Sequence, residues 1–318
     1  MQATIEDQSP RPATQHGWAI TSQLPIVAGV LWALLTVTIW GAWPSVTRLS
    51  VAQTMTPHDL VALRYGIGGL ILLPFLVHQA GNIPRRGWFE GVVLAVCQGA
   101  PLALLVTIGV QFAPASHMVS LSPGPLALCA AVLGYVFFNE ALSGSRMVGL
   151  ALILGGALLM AGVSLSTFAD DTWKGDLLFI SAGCMGSIYA VRMRHSGLTA
   201  MQGAAFISVY SMVFYLPLYA WLWLRSGQLA HAPVRELLFQ AFYQGVLMGA
   251  VALFSLSRAI VILGAARAAA FISLVPVLGT LLGYAILGEI PSASEITAVI
   301  AISIGVLLAT GTFQRAAR

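Results

Sequence analysis

The sequence predicts an all-α integral membrane protein: ten transmembrane helices in two inverted five-helix repeats. Three observations carry that expectation. The 318 residues are 58% hydrophobic and only 8% charged, whereas soluble domains carry about 25% charged residues. A chain so poor in polar side chains cannot cover its own surface in water. Ten runs are long and apolar enough to cross a bilayer, which takes roughly 20 residues. The chain also repeats itself: residues 111–162, moved by 149 positions, fall on 260–311 without a gap. Leu133-Gly134-Tyr135 lands on Leu282-Gly283-Tyr284, Glu140 on Glu289, Ser143 and Ser145 on Ser292 and Ser294, and Gly156 and Gly162 on Gly305 and Gly311.

Residues 1–25 are polar, rich in Ser, Thr, Gln and Pro, and lack the apolar core of a signal peptide; they read as an uncleaved, disordered cytoplasmic tail. The first repeat spans 26–166, with helices at 26–47, 58–78, 88–109, 115–138 and 146–166. The second spans 167–313, with helices at 175–193, 201–224, 238–261, 267–288 and 295–313, leaving 314–318 as a short cytoplasmic tail. Gly81-Asn82-Ile83-Pro84, Ala169-Asp170-Asp171, Ser226-Gly227-Gln228 and Pro291-Ser292 mark the turns. The early helices echo at smaller offsets: Gln98-Gly99 returns as Gln244-Gly245, 146 later, and Thr56 and Pro74 return as Thr199 and Pro217, 143 later. Short loop insertions within an old duplication account for the drift.

Orientation follows from the basic residues near helix ends. With a cytoplasmic N-terminus, Arg11, Arg85, Arg86, Arg146, Arg192, Arg194, Arg258, Arg267, Arg315 and Arg318 lie inside; Arg48, Lys174, Arg225 and Arg235 lie outside. Both termini are therefore expected inside, and the net charge of +4 reflects topology rather than nucleic-acid binding. Five helices are an odd number, so the second half crosses in the opposite sense to the first. Inverted repeats of this kind underlie alternating access in many carriers.

These features resemble the drug/metabolite transporter superfamily in its ten-helix EamA-type branch: two five-helix repeats, a proline in helix 4, an apolar run ending in Glu140 and again in Glu289, and Arg64 early in helix 2. The resemblance covers residues 26–313. It implies a secondary transporter of the bacterial inner membrane, exporting small metabolites such as amino acids, or drug-like solutes. It also gives helices 5 and 10 a scaffold or dimer role, which leaves a homodimer open. Ile207 stands where Arg64 would recur and Pro276 aligns with neither Pro123 nor Pro125, so strict equivalence of the two halves at the binding site is not expected.

Several residues are candidates for the solute pathway, each with a plainer reading beside it. Ser122-Pro123-Gly124-Pro125 removes two backbone donors from helix 4, producing a broken helix that lines a cavity or a simple kink; Pro101 and Pro276 are weaker cases. Gln98 and Gln244 either bind solute or join helices. Arg64 either pairs with a solute carboxylate or phosphate, or snorkels, or pairs with Asp59. Glu140 and Glu289 either accept N–H bonds at the start of helix 5 or 10, or couple to protons. His117 either titrates in a coupling step or is satisfied at the interface. Ser120, Trp40, Tyr189 and Tyr243 are further pathway candidates, with Trp43, Tyr65 and Phe271 nearby in the spans; an interfacial aromatic belt is the alternative. Gly149, Gly155, Gly156, Gly162, Gly305 and Gly311 favour close helix contact.

Cys97, Cys129 and Cys184 lack metal spacing and read as free thiols. No P-loop, HExxH or GxSxG pattern occurs, so no cofactor or metal is expected, and the partners expected are a small-molecule substrate and the lipid bilayer. An integral-membrane enzyme, a channel or a non-transporting sensor is the alternative. An enzyme of this kind would want clustered acids, and Asp170, Asp171 and Asp176 read as a solvated loop.

Overall fold

The computed structural model describes residues 18–138, 143–166, 171–226, 228–263 and 265–309, and these contain no strand. The helices are α1 (Trp18–Gln53), α2 (Pro57–Gln79), α3 (Arg85–Gln98), α4 (Ala100–Phe112), α5 (Ala115–Leu121), α6 (Pro123–Phe138), α7 (Gly144–Ser166), α8 (Thr172–His195), α9 (Ala200–Ser226), α10 (Val234–Gln240), a π-helical stretch (Ala241–Val251), α11 (Ala252–Leu263), α12 (Ala265–Ile272), α13 (Val275–Leu287) and α14 (Ala293–Ala309). Among the described residues the ten apolar runs are mostly helical, three of them with interruptions. Eight of them, from Ile26–Gln53 to Ala270–Leu287, have spanning length; Gly144–Met160 and Ala293–Ala309 are shorter apolar helices. Large apolar side chains such as Leu70, Phe137, Phe214 and Val261 face outward, as a surface bathed in lipid requires. The chain is a multi-pass membrane protein.

Helix α1 starts at Trp18, inside the stretch expected to be a tail. Residues 18–24 contain neither Gly nor Pro, and extending an existing helix fixes one residue per hydrogen bond gained. Residues 1–17 lie outside the described residues.

Four of the repeated polar residues, Thr56, Thr199, Ser143 and Ser292, turn out to be helix caps. Thr56 and Asp59 form a capping box on α2, and Thr199 and Gln202 form the matching one on α9. Ser292 and Glu295 do the same for α14, while Ser143 accepts the Arg146 N–H at the start of α7.

Three of the predicted helices are broken and a fourth is locally underwound. Gly99 separates α3 from α4 with φ −91° and ψ −142°, and the Ala100 N–H turns aside to Ser211 Oγ at 3.0 Å. Pro123 begins α6 after the turn at Ser122. Ser273 and Leu274 interrupt α12 and α13 just ahead of Val275-Pro276. The π-helical stretch contains Gln244-Gly245, so both Gln-Gly pairs sit at irregular backbone.

Packing is mirrored between the halves. Helix α1 lies against α11 and α13 as α8 lies against α4 and α6; α2 meets the π-helical stretch as α9 meets α3; α2 meets α9, and α7 meets α14. Several pairs break the rule, most of them made by α5. Helix α5 packs on α13, but their counterparts at the 149 offset, α12 and α6, do not make the equivalent contact their main one: α12 packs on α11 and α1, and α6 on α8 and α7. At the first contact a Cβ on Gly279 would come 2.5 Å from Val119 Cγ1 and 3.2 Å from the Gly41 carbonyl. The bundle is drawn together there by α1, α5 and α13.

The α7–α14 pair is closer still, since a Cβ on Gly149 would lie 2.6 Å from both Gly305 O and Ala309 N. Gly149→Val is expected to lower stability by about 1–3 kcal/mol through overpacking. Gly155→Ala, which meets nothing within 4 Å, should leave the thermal midpoint in detergent unchanged.

Candidate functional site

The middle of the bundle holds polar atoms that nothing in the protein satisfies. Helix α2 carries Arg64 across to α1, where its guanidinium lies 4.6 Å from the Trp43 ring centre and 5.6 Å from that of Tyr65. One terminal nitrogen of Arg64 and the Trp43 indole N–H are buried without a hydrogen-bond partner. Arg64 is therefore not paired with Asp59, whose carboxylate is taken by its own capping box and by the Tyr219 hydroxyl at 2.7 Å. The Tyr65 hydroxyl donates to the Gln98 carbonyl at 3.3 Å, beside the Gly99 break. Gln98 Oε1 is buried and unpartnered, as are Ser120 and Ser122 Oγ around the α5–α6 break. Buried polar groups without partners are rare and costly, so this cluster is where the chain offers hydrogen bonds to something else.

Not every candidate joins it. Gln244 is 1% exposed, and its amide donates to Thr47 at 3.1 Å and to Gln240 at 3.4 Å. Tyr243 donates to the Ile39 carbonyl at 2.6 Å and packs with Trp40. Tyr189 packs against the apolar cluster that contains Tyr65, and Phe271 packs beside Ala33 and Leu263. Pro123 sits at the first turn of α6. Glu140 lies outside the described residues.

His117 and Glu289 belong to a second constellation, at the end of the bundle that carries the C-terminus of α1; we refer to it as the Arg48 end. Glu289 pairs with Arg48 at 2.9 Å and accepts the Ala115 N–H at 3.0 Å. It thus holds a helix start as expected, but the start of α5 (helix 4 of the sequence reading) rather than of helix 5 or 10. The α13 backbone ends at Gly288 with φ 71°, a left-handed turn that glycine adopts freely, and this swings Glu289 back toward α5. Burial raises the Glu289 carboxyl above the usual range, against the lowering pull of Arg48, the Ala115 N–H and His117. His117 contacts Asp176 Oδ1 through Nδ1 at 2.8 Å and Glu295 Oε1 through Nε2 at 3.0 Å. Asp176 is 4% exposed, which corrects its reading as part of a solvated loop: α8 begins at Thr172 and carries it inward against α5. Asp171 stays near the surface, paired with Lys174 at 2.9 Å.

A second pair of carboxylates escaped the sequence reading. Glu90 receives Arg192 Nε at 3.1 Å and its NH2 at 2.8 Å, at the opposite end of the bundle. Glu236 accepts from the Ser50 hydroxyl and from that of Thr54. Both stand eight residues before a Gln-Gly pair, Gln98-Gly99 and Gln244-Gly245. That spacing was the available signal. His117, Asp176 and Glu295 are far apart in the chain and share no local pattern.

A membrane-embedded helical bundle with mirrored halves, broken helices and unsatisfied polar atoms at its centre has the makings of a solute carrier. The chain belongs to the EamA-like transporter family, whose sequence model matches residues 27–162 and 173–311. It is similar to a riboflavin transporter of Brucella anthropi, 27% identical over 185 residues, 57% of this chain and 62% of that protein; the chain thus spans less than two thirds of that relative's length. A solved crystal structure overlays 90% of this chain and 97% of its own with a TM-score of 0.57 and 19% identity, which shows a shared fold.

The two glutamines should behave differently. Gln244→Leu strips Thr47 and Gln240 of a partner and is expected to lower stability by about 0.5–2 kcal/mol. Gln98→Leu should leave the thermal midpoint nearly unchanged while reducing solute binding.

Proposed function

We propose that the chain is a secondary carrier of small organic solutes, working by alternating access between two inverted halves, 26–166 and 167–313, with ten crossings. The observation that carries this reading is the contact of α5 with α13, which has no comparable counterpart between α12 and α6. Helices α5 and α13 close the Arg48 end; their counterparts α12 and α6 pack elsewhere. Exchange of one contact for the other would move the opening from one side to the other, as inverted repeats permit. The arginine distribution supports cytoplasmic termini, with the Arg48 end facing outward from an inner membrane. Export is the direction that the family resemblance implies.

The Trp43–Arg64–Tyr65 face supports a neutral or zwitterionic solute with carboxylate or carbonyl acceptors. Arg64 supplies a charged donor and the rings supply a stacking surface. The similarity to a riboflavin transporter adds planar heteroaromatic solutes, which carry such carbonyls, to the amino acids and drug-like molecules to be tried.

Ala115 Cβ lies 3.7 Å from the position a Gly283 Cβ would take, within the range for a disulfide. With the three native cysteines replaced, oxidised Ala115→Cys/Gly283→Cys protein in liposomes should lose counterflow and regain it on reduction. Flux that survives complete oxidation contradicts alternating access. Separately, Arg64→Ala should cut transport of carboxylated solutes by roughly tenfold, a loss of about 1.4 kcal/mol, at unchanged expression. Equal loss of expression and transport would assign Arg64 to packing.

A further inference from the structure

His117 is 2% exposed, yet both of its ring nitrogens face carboxylates. A neutral imidazole has one N–H and one lone pair. Two carboxylate partners can both be satisfied only if the ring carries a second proton or one carboxyl is protonated. Without that extra proton, a ring lone pair confronts a carboxylate lone pair at about 3 Å, and repulsion replaces a hydrogen bond. The geometry of the trio therefore corresponds to a site with a proton bound.

The position of the trio matters as much as its chemistry. His117 lies on α5, Asp176 on α8 and Glu295 on α14. Glu289, just past α13, faces the same helix start, with Arg48 of α1 behind it. Helices α4 and α6 contain no charged residue, and α7 has only Arg146, at its start. The trio has no second copy, because the 149 offset puts Ala266 opposite His117 and Arg146 opposite Glu295. It is thus an addition to one end of a duplicated scaffold. Glu295 is anchored by the Ser292 N–H at 2.6 Å, so it resists moving with α5. A cavity of about 230 Å³, lined by Arg48, Ser116, Thr280, Glu289 and Glu295 among others, gives water access to the carboxylates.

We infer that His117, Asp176 and Glu295 form a proton-binding latch that holds the Arg48 end shut and opens when the proton leaves. The proton enters onto the imidazole, where both N–H groups then donate, one to Asp176 and one to Glu295; it leaves through the cavity beside Glu295. Resting on the carrier reading above, the latch ties solute access at this mouth to proton occupancy, a coupling that is reciprocal by linkage.

The test needs no solute. Thr280→Cys, in an otherwise cysteine-free full-length protein in liposomes, is labelled with a membrane-impermeant maleimide across a pH series. Rates are divided by those of Ile290→Cys, which is 82% exposed, to remove the thiol's own pH dependence. Release of one proton on opening makes the normalised rate rise by up to about tenfold per pH unit across the transition. In His117→Gln the rise should vanish. If that variant fails to insert, Glu295→Gln, whose amide oxygen can still accept the Ser292 N–H, is expected to flatten the same curve. A flat profile in the parent, or an unchanged rise in the variant, overturns the latch. Riboflavin and amino-acid counterflow at equal pH is scored separately. Counterflow with flat labelling sinks the latch alone, and pH-dependent labelling without counterflow of either solute counts against the carrier reading alone.

Discussion

Inside a bilayer, backbone amides have no water to turn to, and every interruption of a helix must be answered by protein or by a lined cavity. The bundle depends on how it meets that constraint. At Gly99 the stranded Ala100 N–H is taken by Ser211 on α9. A side chain at Gly99 would collide with both Ser211 and the Ala95 carbonyl, so glycine there is a condition of the break. At Pro123 and Pro125 the donors that would have met the Val119 and Leu121 carbonyls are missing. Gly183 of α8 brings its backbone tightly against Ser122 at this point. Breaks placed this way turn stiff rods into elements with two segments that can move separately.

The two segments of each broken helix have different partners. Helix α5 packs at the Arg48 end and α6 toward the other side; α13 and α12 divide in the same manner. Close contact at Gly41, Gly279 and Val119 supplies the van der Waals part of the closure, and Glu289 with Arg48 and Ala115 supplies the polar part. Neither is large alone. An ion pair that is partly exposed adds little, and side-chain bonds in membranes average near 0.6 kcal/mol. On the proposed carrier reading, a gate held by several modest contacts would open at a cost within reach of solute binding and proton release.

Much of this was legible in the chain. The apolar runs located the helices, and the offset of 149 marked pairs that pack alike, such as α1 with α13 and α8 with α6. The matched Thr56 and Thr199, and Ser143 and Ser292, proved to be capping residues. Pro123 marked its break, since a missing N–H is visible in sequence. The break at Gly99 was harder to see, because its receiving group, Ser211, is 111 residues away from Ala100. The His117 site was legible only as a lone histidine. Its partners come from α8 and α14, and nothing in the Asp170-Asp171 neighbourhood reveals that Asp176 turns inward. Long-range charge pairing has no local signature.

In a carrier of this kind one end closes as the other opens. Paired spin labels in the cysteine-free protein measure it most directly. Val132 of α6 and Arg267 of α12, both exposed, report on one end. Gln111 and Ile290, also exposed, report on the Arg48 end. Adding transported solute is expected to produce a second population in which the Val132–Arg267 distance shortens and the Gln111–Ile290 distance lengthens. Distances that stay fixed, or that shorten together, would contradict alternating access.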